Sequence, residues 1–226
     1  MHLSLIDTFI LIFCLMVNVL GYVYYSKLST FFKLLLIQSS IALFFILAAL
    51  SHHYYYLSRG QKVINTWIMN GQLLLEMEIT FLAFWQVLIA RKIRVLVIIA
   101  NVLFLTVYFW QLSYQGLNEY VNWADLTACI FFTVLATIAF YKFSFESVTA
   151  WWKSPEIWAT LGLLIYFAGS VPFISMNNYL RTNYFEIWSF VYHYIAVTLG
   201  LMKYAFLLIS FIILYFGFRK QIPDEK

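Results

Sequence analysis

The stretch Trp188–Phe218, WSFVYHYIAVTLGLMKYAFLLISFIILYFGF, decides the fold class. About 20 helical residues cross a bilayer core of roughly 30 Å, so this apolar run is a transmembrane helix with length to spare. Lys203 interrupts it near its middle. A lysine at that depth is disfavoured by roughly 3 kcal/mol on insertion scales, so it faces the protein interior, a cavity or an opposite charge. Only one other apolar run holds carboxylates near its middle: Val63–Ile89, with Glu76 and Glu78.

The same ruler divides the chain into seven spans: Leu5–Tyr24, Phe32–Ser51, Val63–Ile89, Val95–Leu112, Leu126–Tyr141, Ile157–Tyr179 and Trp188–Phe218. The fifth is short, whereas the third and seventh are long enough to tilt. Lys27, Lys33, Arg91, Lys92, Arg94, Lys142, Lys153, Arg219, Lys220 and Lys226 fall on one side of this arrangement, against Arg59, Lys62 and Arg181 on the other. That asymmetry places the N-terminus outside and the C-terminus in the cytoplasm. The first run begins beside Met1 with no basic residue before it and no small-residue cleavage pattern after it. It therefore reads as a retained first helix.

Composition agrees with this division. The 226 residues are 64% apolar and 11% charged, well outside the soluble norm. The expectation is an all-α integral membrane bundle forming a single domain over residues 1–226. Its loops are too short for a soluble domain, its first partner is the lipid bilayer, and nucleic-acid binding is not indicated. Cys14 and Cys129 both sit inside apolar runs, where a thiol packs as a small hydrophobic group. Trp151, Trp152 and Trp158 read as interfacial anchors. Ser154, Pro155 and Glu156 read as a helix start, with a capping hydroxyl, a proline at the first position and an acid at the positive end of the dipole.

The two acids of the third span do different things. At 100° per residue Glu76 and Glu78 lie about 200° apart and cannot share a face. Gln72 and Thr80 stand one turn to either side of Glu76, forming a polar stripe suited to the bundle interior. Glu78 has Gly71, Leu82 and Trp85 around it. Lys203 shares its face with Ala196, Gly200 and Ser210, small residues that admit a close neighbour. The expected ligand-binding set is therefore Glu76 paired with Lys203, with Gln72 and His193 as secondary lining. The competing reading is a structural pair that fixes helix register. His52 and His53, followed by Tyr54, Tyr55 and Tyr56, form either a metal or haem edge or an interfacial belt. Pro172, after Gly169 and Ser170, predicts a kink in the sixth span.

Seven spans, an outer N-terminus, an acid in the third span and a lysine in the seventh resemble the microbial rhodopsins, whose lysine holds retinal. The resemblance is geometric only. Their Trp-x-x-Tyr-Pro signature is replaced by Tyr166-Phe-Ala-Gly-Ser-Val-Pro172, and Leu199 stands where an aspartate would precede Lys203. Seven-helix zinc hydrolases use a paired His-x-x-x-His in the last helix, and here Val197 follows His193. No cofactor and no catalytic residue is assigned on these grounds.

The segments Lys153-Ser-Pro-Glu-Ile-Trp-Ala-Thr-Leu-Gly-Leu-Leu-Ile-Tyr-Phe-Ala-Gly169 and Gly200-Leu-Met-Lys-Tyr-Ala-Phe206 carry a further resemblance. They are similar to the sixth and seventh helices of small heptahelical membrane proteins of Bacteroidetes without an assigned activity, which often appear beside, or as the membrane half of, sensor histidine kinases. The resemblance implies a sensing or accessory signalling component of a bacterial inner membrane, with Pro155, Trp158, Tyr166 and Lys203 at the family's recognisable positions. With no kinase domain in this chain, output would pass through a separate partner such as a sensor kinase. A structural subunit of a larger membrane complex is the alternative expectation, with a cofactor-binding (retinal, haem or zinc) membrane protein as the third.

Overall fold

The structure is a computed structural model that describes residues 5–57, 59, 65–146 and 151–219. All regular structure among these residues is helical. The helices are α1 (Leu5–Val23), α2 (Thr30–Leu57), α3 (Thr66–Val87), α4 (Arg91–Gln115), α5 (Asn122–Glu146), α6 (Pro155–Asn183), α7 (Phe185–Val191) and α8 (Val197–Arg219). A π-helical turn, Tyr192–Ala196, joins α7 to α8, so the chain is helical without a break from Phe185 to Arg219. Helix is the required solution for such apolar runs, because lipid offers no partner to an exposed backbone N–H or C=O.

Five segments are long and apolar enough to cross a membrane: Thr30–His53, Arg91–Gln115, Asn122–Phe145, Pro155–Asn183 and Tyr194–Phe218. Thr8–Val23 is a shorter apolar helix. The chain is thus an α-helical membrane bundle. Helix α3 stands apart because Asn70, Gln72, Glu76, Glu78 and Thr80 dilute its hydropathy. The fifth helix is 25 residues long rather than short, since it begins at Asn122 and ends at Glu146. Sequence-based bounds missed its start because the polar residues there, Asn122 and Asp125, are buried on inward-facing positions.

The helices close into a ring. Helix α1 packs on α2 and α8, α2 on α3, α3 on α4 and α5, α4 on α5, α5 on α6, and α6 on α8. At its centre α3, α5 and α6 meet through phenylalanines: the Phe132 ring lies 4.3 Å from Phe81, 5.8 Å from Phe84 and 4.8 Å from Phe167, centroid to centroid. Phe84, Phe132 and Phe167 are essentially inaccessible. Such offset ring pairs add about 0.5–1.5 kcal/mol each beyond their buried area.

Both ends of the ring are tied by polar groups. At the Asn122 end, Gly116 stops α4 with φ 75°, a left-handed conformation that glycine adopts without a Cβ penalty. Asn70 of α3 then holds the following turn, donating to the Glu119 carbonyl at 2.9 Å and accepting from Val121 N–H at 3.3 Å. Asn122 bonds Asn178, and Asn177 donates to Asn122 at 2.6 Å while accepting from the Trp188 indole at 2.6 Å. At the opposite, Arg91 end, the Lys142 ammonium donates to the Val87 carbonyl at 2.8 Å, satisfying an orphan acceptor where α3 stops. Ser154 departs from the expected cap: its hydroxyl donates to the Glu156 carboxylate at 2.9 Å and bonds no backbone N–H of α6. Pro155 does open the helix.

Helix α6 continues through Pro172 to Asn183. Proline removes one N–H from the ladder. The Ser170 hydroxyl nearby turns back to the Tyr166 carbonyl at 2.7 Å.

Candidate functional site

Residues one turn apart on a helix stack on one face, and Gln72, Glu76 and Thr80 do so on α3. Gln72 Nε2 donates to Glu76 Oε1 at 2.6 Å, and Thr80 Oγ1 donates to the Glu76 backbone carbonyl at 2.6 Å. Thr80 Oγ1 also accepts from Gln38 Nε2 of α2 at 2.8 Å. The stripe is therefore a hydrogen-bonded file joining two helices. Glu76 is the eleventh of the 22 residues of α3, midway along it.

Helix α8 brings the cation to this file. Lys203 Nζ lies 3.3 Å from Glu76 Oε2, and the two residues are 4% and 8% exposed. Helix α6 makes this approach possible at Gly162, where an added Cβ would stand 2.6 Å from Phe206 Cβ and 3.3 Å from the Lys203 carbonyl oxygen. Only a residue without a side chain lets α8 come that near. Nζ lies 4.9 Å from the centroid of the Tyr166 ring and 5.2 Å from that of Tyr204, so two aromatic faces cover the ammonium. Cation–π contacts of this kind contribute about 2 kcal/mol when desolvated. The arrangement answers the cost of burying two charges: each has its counter-ion, and the carboxylate has a second donor in Gln72.

Gln38, Tyr166 and Tyr204 thus join Glu76, Lys203 and Gln72, and sequence reasoning did not place Gln38 or Tyr204 here. A signal for Gln38 existed, as a lone amide in the apolar run of α2. His193 lies in the π turn, about which its backbone is described; its side chain lies outside the described residues. The stretch from His193 to Lys203 is consequently not uniform α-helix. Ser210, expected on the Lys203 face, is fully buried and donates to the Pro155 carbonyl at 2.6 Å, fastening α8 to the start of α6.

Beside the pair, α1 and α2 share a smaller network. Cys14 Sγ donates to the Ser39 carbonyl at 3.3 Å, and Asn18 Nδ2 donates to Ser39 Oγ at 3.0 Å. Cys129 Sγ likewise donates to Asp125 Oδ1 at 3.5 Å. Both cysteines are buried free thiols, and both are weak donors as well as hydrophobic packing groups. Tyr120 donates to Asp125 Oδ2 at 2.7 Å. Burial first, then the neighbouring Asp125 carboxylate, holds the Tyr120 phenol well above its ordinary range, so it keeps the proton it donates.

Glu78 belongs to none of this. Its two carboxylate oxygens each lie 3.0 Å from Asn101 Nδ2 of α4. At the Asn122 end His52 Nδ1 lies 2.5 Å from Asn65 Oδ1 and its ring packs against Tyr56 and Trp67. Among the described residues no group of three His, Cys, Asp or Glu side chains is placed to hold a metal ion. No protein-family model, no curated protein and no solved structure matches this chain.

Proposed function

We propose that this chain is a receptor-like or accessory signalling component of a bacterial inner membrane. It crosses the bilayer seven times, with its N-terminus outside, its C-terminus in the cytoplasm and α7–α8 as one crossing. Support for the crossings comes from the length of the apolar helices together with the ten-to-three distribution of Lys and Arg between the two sides. A small or lipophilic ligand with a polar head is sensed at the Glu76–Lys203 pair, with Gln72 and His193 as secondary lining.

The observation that carries this reading is the closed, mid-helix charge pair linking α3 to α8. An ionisable pair held at that depth is costly to build and easily biased, because any ligand that replaces one partner releases the other. Such a ligand binds the opened arrangement better than the closed one, which is the differential affinity a switch requires. Helix α8 runs from the pair to Arg219, so its displacement reaches the side where a cytoplasmic partner would bind.

A second reading, a structural subunit whose pair only fixes helix register, is favoured by the low exposure of both charges. Purification from native membranes in a mild detergent, with identification of stoichiometric companions, separates the two. A signalling kinase whose output changes with the double variant E76Q/K203M supports the sensor. A respiratory or secretion assembly whose activity is indifferent to that variant overturns it in favour of the structural subunit.

A further inference from the structure

Helices α3 and α4 run antiparallel, and the seam between them carries two polar groups whose bonding is incomplete. The first is Glu78. Its carboxylate takes one amide donor, Asn101, and no cation lies within ion-pair distance among the described residues. The second is Arg94 at the Arg91 end. Its guanidinium lies over the Trp85 ring at 5.1 Å, and no carboxylate lies within ion-pair distance of it among the described residues.

These two groups are in register. Glu78 and Trp85 are seven residues apart on α3, as Asn101 and Arg94 are on α4, so each pair shares a face two turns apart, about 10 Å along the axis. Around them the surface is apolar and open: Leu75 and Leu82 of α3 and Ile98 and Val102 of α4 are all close to half exposed. A carboxylate in the middle of a transmembrane helix beside lipid-facing leucines lacks the neutralising partner that membrane burial demands.

We propose that the α3–α4 seam is the docking site for a partner transmembrane helix with a basic residue at mid-depth and an acidic residue two turns nearer the Arg91 end. The basic residue pairs with Glu78 and the acidic one with Arg94, while its apolar positions cover Leu75, Leu82, Ile98 and Val102. A second copy of this chain does not meet the requirement. Lys203 is the cation at mid-helix among the described residues, and it is already committed to Glu76 inside the bundle. Arg91, Lys92 and Arg94 stand at the start of α4, at the wrong depth. The proposal rests on the reading that α3 and α4 cross the membrane and that this protein works through a partner; it does not depend on the ligand.

The test uses the full chain reconstituted in phosphatidylcholine vesicles with fluorescently labelled single-span leucine–alanine peptides. One peptide carries a central lysine and a glutamate seven residues towards the end that meets the Arg91 side; the other is wholly apolar. Energy transfer from the protein to each peptide reads association. The charged peptide is expected to associate about tenfold more tightly than the apolar one, the order given by the best interhelical polar contacts in bilayers. Glu78→Gln keeps the shape and can still bond Asn101, and it should remove most of that preference, leaving only the share that Arg94 contributes. Glu78→Lys should transfer the preference to a peptide with a central glutamate. The double variant E76Q/K203M should leave it unchanged, which separates this site from the ligand-responsive pair. Equal association of the two peptides, or a preference that Glu78→Gln leaves undiminished, overturns the proposal. So does self-association through this seam.

Discussion

Glu76 and Glu78 stand two residues apart on one helix, at one depth, and meet opposite environments. Glu76 turns inward to Lys203, Gln72 and the covering rings of Tyr166 and Tyr204. Glu78, rotated about 200° away, meets a single amide at the edge of the bundle. The identical side chain is a completed interior site in one case and an incomplete surface one in the other. What differs is the helix each faces: α8 comes near because Gly162 lets it, and α4 offers asparagine instead of a cation.

The largest break of this contrast comes from removing the inner cation. Lys203→Met leaves a buried carboxylate without its counter-ion and should cost about 3–5 kcal/mol, while adding Glu76→Gln should return most of it. Thermal unfolding in detergent, followed by tryptophan fluorescence, reads both. Equal midpoints for the single and double variants would mean that the pair is not coupled.

Next in size is the approach of α8. Gly162→Ala sets a methyl group 2.6 Å from Phe206 Cβ, an atom too close to the backbone to move cheaply, and should cost about 1–3 kcal/mol by overpacking. The paired variant Gly162→Ala with Phe206→Gly, which removes the clashing Cβ, should melt above the midpoint expected from the sum of the two single losses. Strict additivity would show that the two residues do not press on each other.

Asn122→Ala removes the side chain shared by Asn177 and Asn178, and about 0.5–1.5 kcal/mol should be lost at the Asn122 end. Amide hydrogen exchange should rise in the last turns of α6 and in α7 while the Glu76–Lys203 level stays protected. Uniform deprotection would contradict a local tie.

Glu78→Gln should do least, shifting the stability of the isolated protein by no more than about 0.5 kcal/mol, because no ion pair is lost and the amide partner remains. The same melting experiment reads it. A loss as large as that of Lys203→Met would erase the distinction between the two acids.

Much of the architecture was legible in one dimension. Lipid forces apolar runs of about 20 residues into helices, so the apolar runs and their polar interruptions reported the bundle directly. The polar stripe of α3 was equally legible, since Gln72, Glu76 and Thr80 recur at the helical repeat. Helix ends were less so: Asp125 after Asn122 reads as a first-turn residue, as it is in α5, yet a hydropathy count opens the span only at Leu126 because both polar residues are buried by inward placement. The π turn left no mark in the apolar pattern, because backbone hydrogen-bond register is set by packing rather than by residue type. Ser154 looked like a cap by spacing, and its hydroxyl was taken by the nearer Glu156 carboxylate.

By itself, the sequence determined that this protein is a helical membrane bundle and that Glu76, Glu78 and Lys203 are the costly residues in it, because desolvation penalties depend on residue type and depth alone. Tertiary structure decided which acid the lysine meets, which helix comes close enough to cover the pair, and which acid is left at the edge. Those outcomes depend on rotation and separation between helices, on a glycine facing a phenylalanine and an asparagine facing a glutamate, and no single run of residues contains them.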